Sequence, residues 1–63
     1  MTGAELIRYM LTETDTTIKA LAETLGWNYR TLRNKLSLNT FTHEEIRKAA
    51  DVLGYDIQVV KRK

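Results

Sequence analysis

The chain has 63 residues, of which 43% are hydrophobic and 29% charged, and its formal net charge is +2 at pH 7. This length allows one domain over residues 1–63, and the absence of cysteine excludes disulfides and thiolate metal sites. No apolar run could span a bilayer and no signal-peptide pattern occurs, so we expect a cytoplasmic protein that does not enter a membrane.

The first helix is predicted from its capping residues. Thr2 and Glu5 form a T-x-x-E capping box, which predicts a helix that starts near Thr2. The polar run over residues 12–17 predicts its end, because hydroxyl and Asp side chains compete with the helical backbone for hydrogen bonds.

A second helix is predicted from a cap at Thr16 or Thr17 to about Leu25. Gly26 then ends it, since glycine is the residue most often found just beyond a helix. The apolar residues of this segment follow the i, i+3, i+4, i+7 spacing of one helical face; they are Ile18, Leu21, Ala22 and Leu25.

A third helix is predicted directly after this turn. Asn28 is a suitable N-cap, and the helix is expected to run to about Leu36 or Ser37, followed by a loop over residues 37–40. Two short amphipathic helices around one tight turn, over residues 17–36, are typical of a helix-turn-helix.

The last part of the chain predicts a fourth helix and a strand. Thr42 and Glu45 form a second capping box, which predicts a helix over residues 42–53 that Gly54 ends. Residues 55–60 alternate between apolar and polar and predict a strand. A lone strand needs a partner, and the simplest is the same strand of a second copy, although an extended tail across the first helix remains the alternative. The expected dimer contacts are Tyr55, Ile57 and Val59.

Positive charge is concentrated on the third helix and at the end of the chain. Residues 1–29 and 38–60 each carry a net charge of −2, whereas residues 30–37 carry three basic residues without an acidic one, and residues 61–63 carry three more. A basic block confined to one helix is what attraction to phosphate requires.

The polar face of the third helix is suited to the major groove of DNA. With Leu32 at the centre of the buried side, steps of about 100° per residue place Arg30, Arg33, Asn34 and Ser37 on the opposite side. Arginine can donate two hydrogen bonds to guanine, and asparagine can pair with adenine. Tyr29 lies at the edge, where it could pack against the helix or contact the groove.

Other polar residues around this helix are better placed for the DNA backbone. Helix N-termini favour anions, and hydroxyl, amide and ammonium groups can add direct contacts to phosphate. The expected phosphate contacts are Thr16, Thr17, Lys19, Asn28, Thr31, Lys35, Ser37, Asn39 and Thr40.

The chain resembles the lambda-repressor-like (Cro and xenobiotic-response-element) helix-turn-helix family. The resemblance covers residues 4 to 54 and is carried by several motifs in the right order: LAETLG at 21–26, WNYRTL at 27–32, NKL at 34–36, FT at 41–42 and ADVLG at 50–54. The chain is also similar to the short bacterial and prophage variants in which a strand follows the last helix.

This resemblance implies a mainly α, compact four-helix domain followed by a C-terminal strand. It also implies a transcriptional regulator that binds double-stranded DNA in a sequence-specific manner, as a homodimer on a palindromic operator. By position in the family motif, the base-reading residues are Tyr29, Arg30, Arg33 and Asn34.

A second hypothesis belongs to a different functional class. The chain could be a protein-interaction module, similar to an antitoxin or an anti-repressor, that keeps the fold and pairs its C-terminal strand with another protein. An enzyme is not expected, because no nucleophile–base set, metal cluster or phosphate-binding glycine loop occurs. We therefore expect no catalytic residue, no metal and no cofactor, and no small-molecule effector site is evident.

Overall fold

Each helix in the described part of the chain begins directly after a residue whose side chain accepts a hydrogen bond from the first helical turn. The computed structural model describes residues 2–56. Within them lie four α-helices, α1 (Gly3–Glu13), α2 (Ile18–Leu25), α3 (Tyr29–Leu38) and α4 (His43–Val52). The predicted mainly helical, four-helix architecture is confirmed.

The predicted capping residues are all used. α1 and α4 have complete capping boxes, in which the amides of Thr2 and Thr42 donate to the carboxylates of Glu5 and Glu45. Of the two residues considered as the cap of α2, Thr17 holds the position, and its Oγ1 accepts from the amide of Ala20 at 3.0 Å. The N-cap residues are Thr2, Thr17, Asn28 and Thr42.

All four helices end in the same way, with one residue in the left-handed conformation. The amide of the next residue donates to a carbonyl five positions back, with N···O distances of 2.8–3.2 Å. This closure pairs carbonyls that would otherwise be unsatisfied at the helix end. The left-handed residues are Asp15, Gly26, Asn39 and Gly54, with φ of 52°, 75°, 54° and 85°.

Two helices run further than the sequence predicts. In α1, Thr12 and Thr14 donate to the carbonyls of Arg8 and Met10, four residues back. These bonds follow the helix instead of competing with it, so α1 continues to Glu13. The predicted loop over residues 37–40 is wrong at its first two positions, because α3 includes Ser37 and Leu38.

The helices pack around one apolar core. α1 and α2 each contact both α3 and α4. Gly3 marks a close approach between α1 and α4, because a Cβ atom there would lie 2.6 Å from Cδ1 of Ile46. The buried hydrophobic residues are Ala4, Ile7, Met10, Leu11, Leu21, Ala22, Leu32, Leu36, Ala49 and Ala50.

Only the first two residues of the predicted strand lie in the part of the chain that the structure describes. No strand occurs within residues 2–56, and residues 57–60 of the predicted strand lie outside the described part of the chain. Tyr55 and Asp56 follow the end of α4 without forming a strand there, and Tyr55 is half-buried against the core. None of the helices in residues 2–56 is long and apolar enough to cross a membrane.

Candidate nucleic-acid interface

Three residues connect α2 to α3. Gly26 ends α2 in the left-handed conformation that glycine adopts without a steric penalty. Trp27 is half-buried, packs against the core and donates its amide to the carbonyl of Ala22 at 2.8 Å. Asn28 then caps α3, since its Oδ1 accepts from the amide of Arg30 at 2.8 Å. α2 and α3 are therefore in contact across a three-residue connection that contains a left-handed glycine.

One side of α3 is buried and the other faces solvent. Leu32 and Leu36 are 0% and 3% exposed, and they hold the helix against the core. The opposite side forms an open groove of about 340 Å³. All the residues that line this groove are exposed; they are Tyr29, Arg30, Arg33, Asn34 and Ser37. The structure therefore brings the four predicted base-reading residues together on one surface, which we call the α3 face.

The electrostatics of the α3 face favour an anionic partner. α3 carries three basic residues and no acidic one. Within residues 2–56, neither Arg30 nor Arg33 forms an ion pair, and neither guanidinium is hydrogen-bonded to the protein. Their donors are thus available to bases or phosphates, and a planar guanidinium suits both.

Tyr29 contacts Arg33 along the helix surface. The Cζ atom of Arg33 lies 5.8 Å from the centroid of the Tyr29 ring, which is a cation–π distance. Tyr29 is 45% exposed, so its ring is shared between the helix edge and solvent. Both alternatives left by the sequence, edge packing and a groove contact, are sterically open.

Lys35 is paired within the protein. Its Nζ lies 3.2 Å from Oε2 of Glu45 on α4 and 5.9 Å from the centroid of the Trp27 ring. Both charged side chains are half-buried. This pair joins α3 to α4, and a phosphate would have to share the ammonium group with Glu45.

The other expected phosphate contacts fall into two groups. Four have a side-chain oxygen already engaged within the protein, as caps or, for Thr16, through a 2.8 Å bond to Oγ1 of Thr14; they are Thr16, Thr17, Asn28 and Asn39. The remainder are exposed, without a side-chain hydrogen bond in residues 2–56; they are Lys19, Thr31, Ser37 and Thr40. Of the expected dimer contacts, only Tyr55 lies in the described part, whereas Ile57 and Val59 lie outside it.

Two features near the α3 face could not be predicted from the sequence. The sequence predicts Glu45 as a capping residue only. Its pairing with Lys35 links residues on different helices, so no local pattern could reveal it. Leu38 is 71% exposed on the last turn of α3 and follows Asn34 by four residues, which places both on one side of the helix. The exposure of Leu38 on a helix could not be predicted, because the sequence predicts a loop at this position.

Glu45 connects the cap of α4 to the charge of α3. The hydrogen bond from the amide of Thr42, 2.8 Å from Oε1, lowers the pKa of Glu45 below its ordinary value of 4.5, and the nearby Lys35 lowers it further. A carboxyl group with a lowered pKa in the folded state stabilises the fold above its unfolded pKa. That stabilisation is lost as the pH falls through the folded-state value.

We expect the variant Glu45→Gln to show a weaker loss of thermal stability between pH 5 and pH 3 than the wild type. At pH 7 the variant should melt at a lower temperature, because it lacks the carboxylate. Circular dichroism melts at pH 7, 5, 4 and 3 measure both effects. Glu44→Gln is the matched control, since Glu44 lies in the same helical turn and forms no ion pair within residues 2–56. Parallel pH profiles for Glu45→Gln and the wild type would contradict the assignment.

Comparison with known proteins identifies no relative. No family model, no curated protein and no solved structure matches the chain. Within residues 2–56, no group of three or more His, Asp or Glu side chains could hold a metal ion.

Proposed function

We propose that the chain binds double-stranded DNA in a sequence-specific manner through the α3 face and acts as a transcriptional regulator. The observation that carries this proposal is the pair of exposed arginines, Arg30 and Arg33, which have no acidic partner within residues 2–56 and lie beside Asn34. These are the side-chain types that read guanine and adenine in the major groove.

The dimensions of α3 agree with this role. A helix of ten residues is about 15 Å long, and its diameter of about 10–12 Å fits a major groove about 12 Å wide. Leu32 and Leu36 attach the middle of α3 to the core, so the exposed side chains around them project from a fixed support. A rigid support limits the entropy lost when the α3 face binds a base sequence.

Contacts to the DNA backbone would come from exposed polar side chains of α3 and α2. Thr31 and Ser37 lie on α3, and Lys19 lies in the first turn of α2, all of them exposed. Contacts of this kind fix the register of a protein on the duplex, whereas contacts to base edges determine the sequence. The homodimer remains part of the proposal, and sedimentation of the purified chain tests it.

The decisive experiment is fluorescence anisotropy with a labelled random duplex over a salt series from 50 to 200 mM. We expect binding that weakens linearly in a plot of log K against log salt, because cationic side chains release counterions from the phosphates. Undetectable affinity at low salt, or affinity that is independent of salt, would overturn the proposal. Such a result, with a monomer in sedimentation, would favour the protein-interaction module.

Selection of bound sequences from a random DNA pool then tests sequence specificity. We expect a recovered consensus site that the chain binds at least about 10³-fold more tightly than random duplex, as specific regulators do. For a dimer the consensus should contain two half-sites about one helical turn apart. A pool without any enriched sequence would reduce the proposal to non-specific binding.

A further inference from the structure

Tyr29 and Arg33 form a side-chain pair on the α3 face. Their separation of four residues places them next to each other on the helix surface, and Cζ of Arg33 lies 5.8 Å from the ring centroid of Tyr29. Both side chains are exposed, so the core does not determine their conformation. Among the contacts within residues 2–56, the ring of Tyr29 is therefore the one that restricts the guanidinium of Arg33.

The contact leaves the hydrogen-bonding groups of Arg33 available. A cation–π contact uses the charge of the guanidinium and the face of the ring, and it needs none of the N–H groups as donors. A long exposed side chain loses rotamer freedom when it binds. A ring that already restricts the side chain in the free protein reduces that loss, which favours the bound geometry.

We propose that Tyr29 is a positioning residue that holds Arg33 for the recognition of guanine, and that Tyr29 does not itself read a base. The proposal rests on the proposed function of DNA binding and deepens it. Guanine is the base concerned because its O6 and N7 accept the two parallel hydrogen bonds that a guanidinium donates. In this arrangement the ring contributes to specificity at a single base pair.

The first test compares Tyr29→Leu and Tyr29→Phe on the selected DNA site. The base pair read by Arg33 is identified as the one at which Arg33→Ala loses discrimination. We expect Tyr29→Leu to weaken binding about two- to fivefold, the size of an exposed cation–π contact, and only when that base pair is present. Tyr29→Phe keeps the ring and should bind as the wild type does. Equal losses in both variants would show that the hydroxyl group contacts DNA and would overturn the proposal.

A double-mutant cycle separates positioning from a structural role. In the Arg33→Ala background, Tyr29→Leu should leave DNA affinity unchanged, because the group that Tyr29 holds is absent. A loss of the same size in both backgrounds would overturn the proposal. Far-UV circular dichroism establishes that each variant is folded. If Tyr29→Leu does not fold, Tyr29→Phe still tests the proposal.

A second measurement needs no DNA. The ring of Tyr29 should shift the proton resonances of the Arg33 side chain upfield in the free wild type and in Tyr29→Phe, and this shift should vanish in Tyr29→Leu. An absent shift in the wild type overturns the positioning proposal alone, as does unchanged base preference in Tyr29→Leu. Failure of the wild type to bind any duplex overturns the proposed function, and this inference with it.

Discussion

Replacing Arg30 and Arg33 together with alanine is expected to weaken binding to the selected DNA site by roughly 2–6 kcal/mol. The physical reason is that each bidentate arginine–guanine contact contributes about 1–3 kcal/mol of discrimination. The two side chains project from the α3 face without ion pairs in residues 2–56, so their loss should leave the fold intact. Anisotropy titrations on the selected duplex and on random duplex measure the two affinities separately.

The matched control removes the same charge from another surface. Arg47 and Lys48 are exposed on α4 and line a different groove, together with Glu44 and Asp51. Replacing both with alanine should lower affinity by a similar small factor on every sequence, because only the general attraction to phosphate changes. If this control lost as much sequence preference as the arginine pair of α3, the α3 face would not be the reading surface.

Replacing Asn39 with alanine is expected to destabilise the fold by about 2 kcal/mol. Oδ1 of Asn39 accepts a hydrogen bond from the amide of Ala4 at 3.0 Å, so a residue that ends α3 also caps the first turn of α1. Alanine removes this acceptor and also pays more than asparagine for a left-handed φ of 54°. A domain of this size has roughly 3–9 kcal/mol in total, so thermal or urea unfolding would show the loss clearly.

Two further variants at this position separate the causes. Asn39→Asp keeps an acceptor and tolerates the left-handed conformation, so we expect its stability to stay within about 0.5 kcal/mol of the wild type. Asn39→Gly relieves the backbone but loses the acceptor, and should lose about 1 kcal/mol. If Asn39→Ala, Asn39→Asp and Asn39→Gly all had the same free energy of unfolding, the hydrogen bond between α3 and α1 would contribute nothing to stability.

The helix starts could be predicted from the sequence because they depend on neighbours in the chain. A capping box needs only two residues three positions apart, and both boxes, at Thr2 and at Thr42, form as predicted. The helix ends were predicted less accurately than the helix starts. The sequence does not show whether Thr12 bonds back to its own helix or away from it, and it does not show that Asn39 adopts the left-handed conformation.

The sequence predicted which residues of α3 are exposed at the candidate site, because the helical period separates them from the buried residues. The period of α3 separates Leu32 from Arg30 and Asn34, and the structure buries the first and exposes the others. The pairing of Lys35 with Glu45 could not be predicted, because ten positions and a change of helix separate the two residues. DNA binding by the α3 face is tested by the salt series, and association of two copies is tested by sedimentation.

The sequence by itself determined the presence of the four helices, the capping boxes of α1 and α4, and the polar side of α3, because each depends on interactions between residues at most five positions apart. Only the tertiary structure decided which polar groups remain available on that side. Asn39 and Lys35, both expected to contact phosphate, are bonded to α1 and α4, whereas Arg30 and Arg33 have no acidic partner within residues 2–56. The physical reason is that side-chain partners are set by packing between helices, which local sequence patterns do not encode.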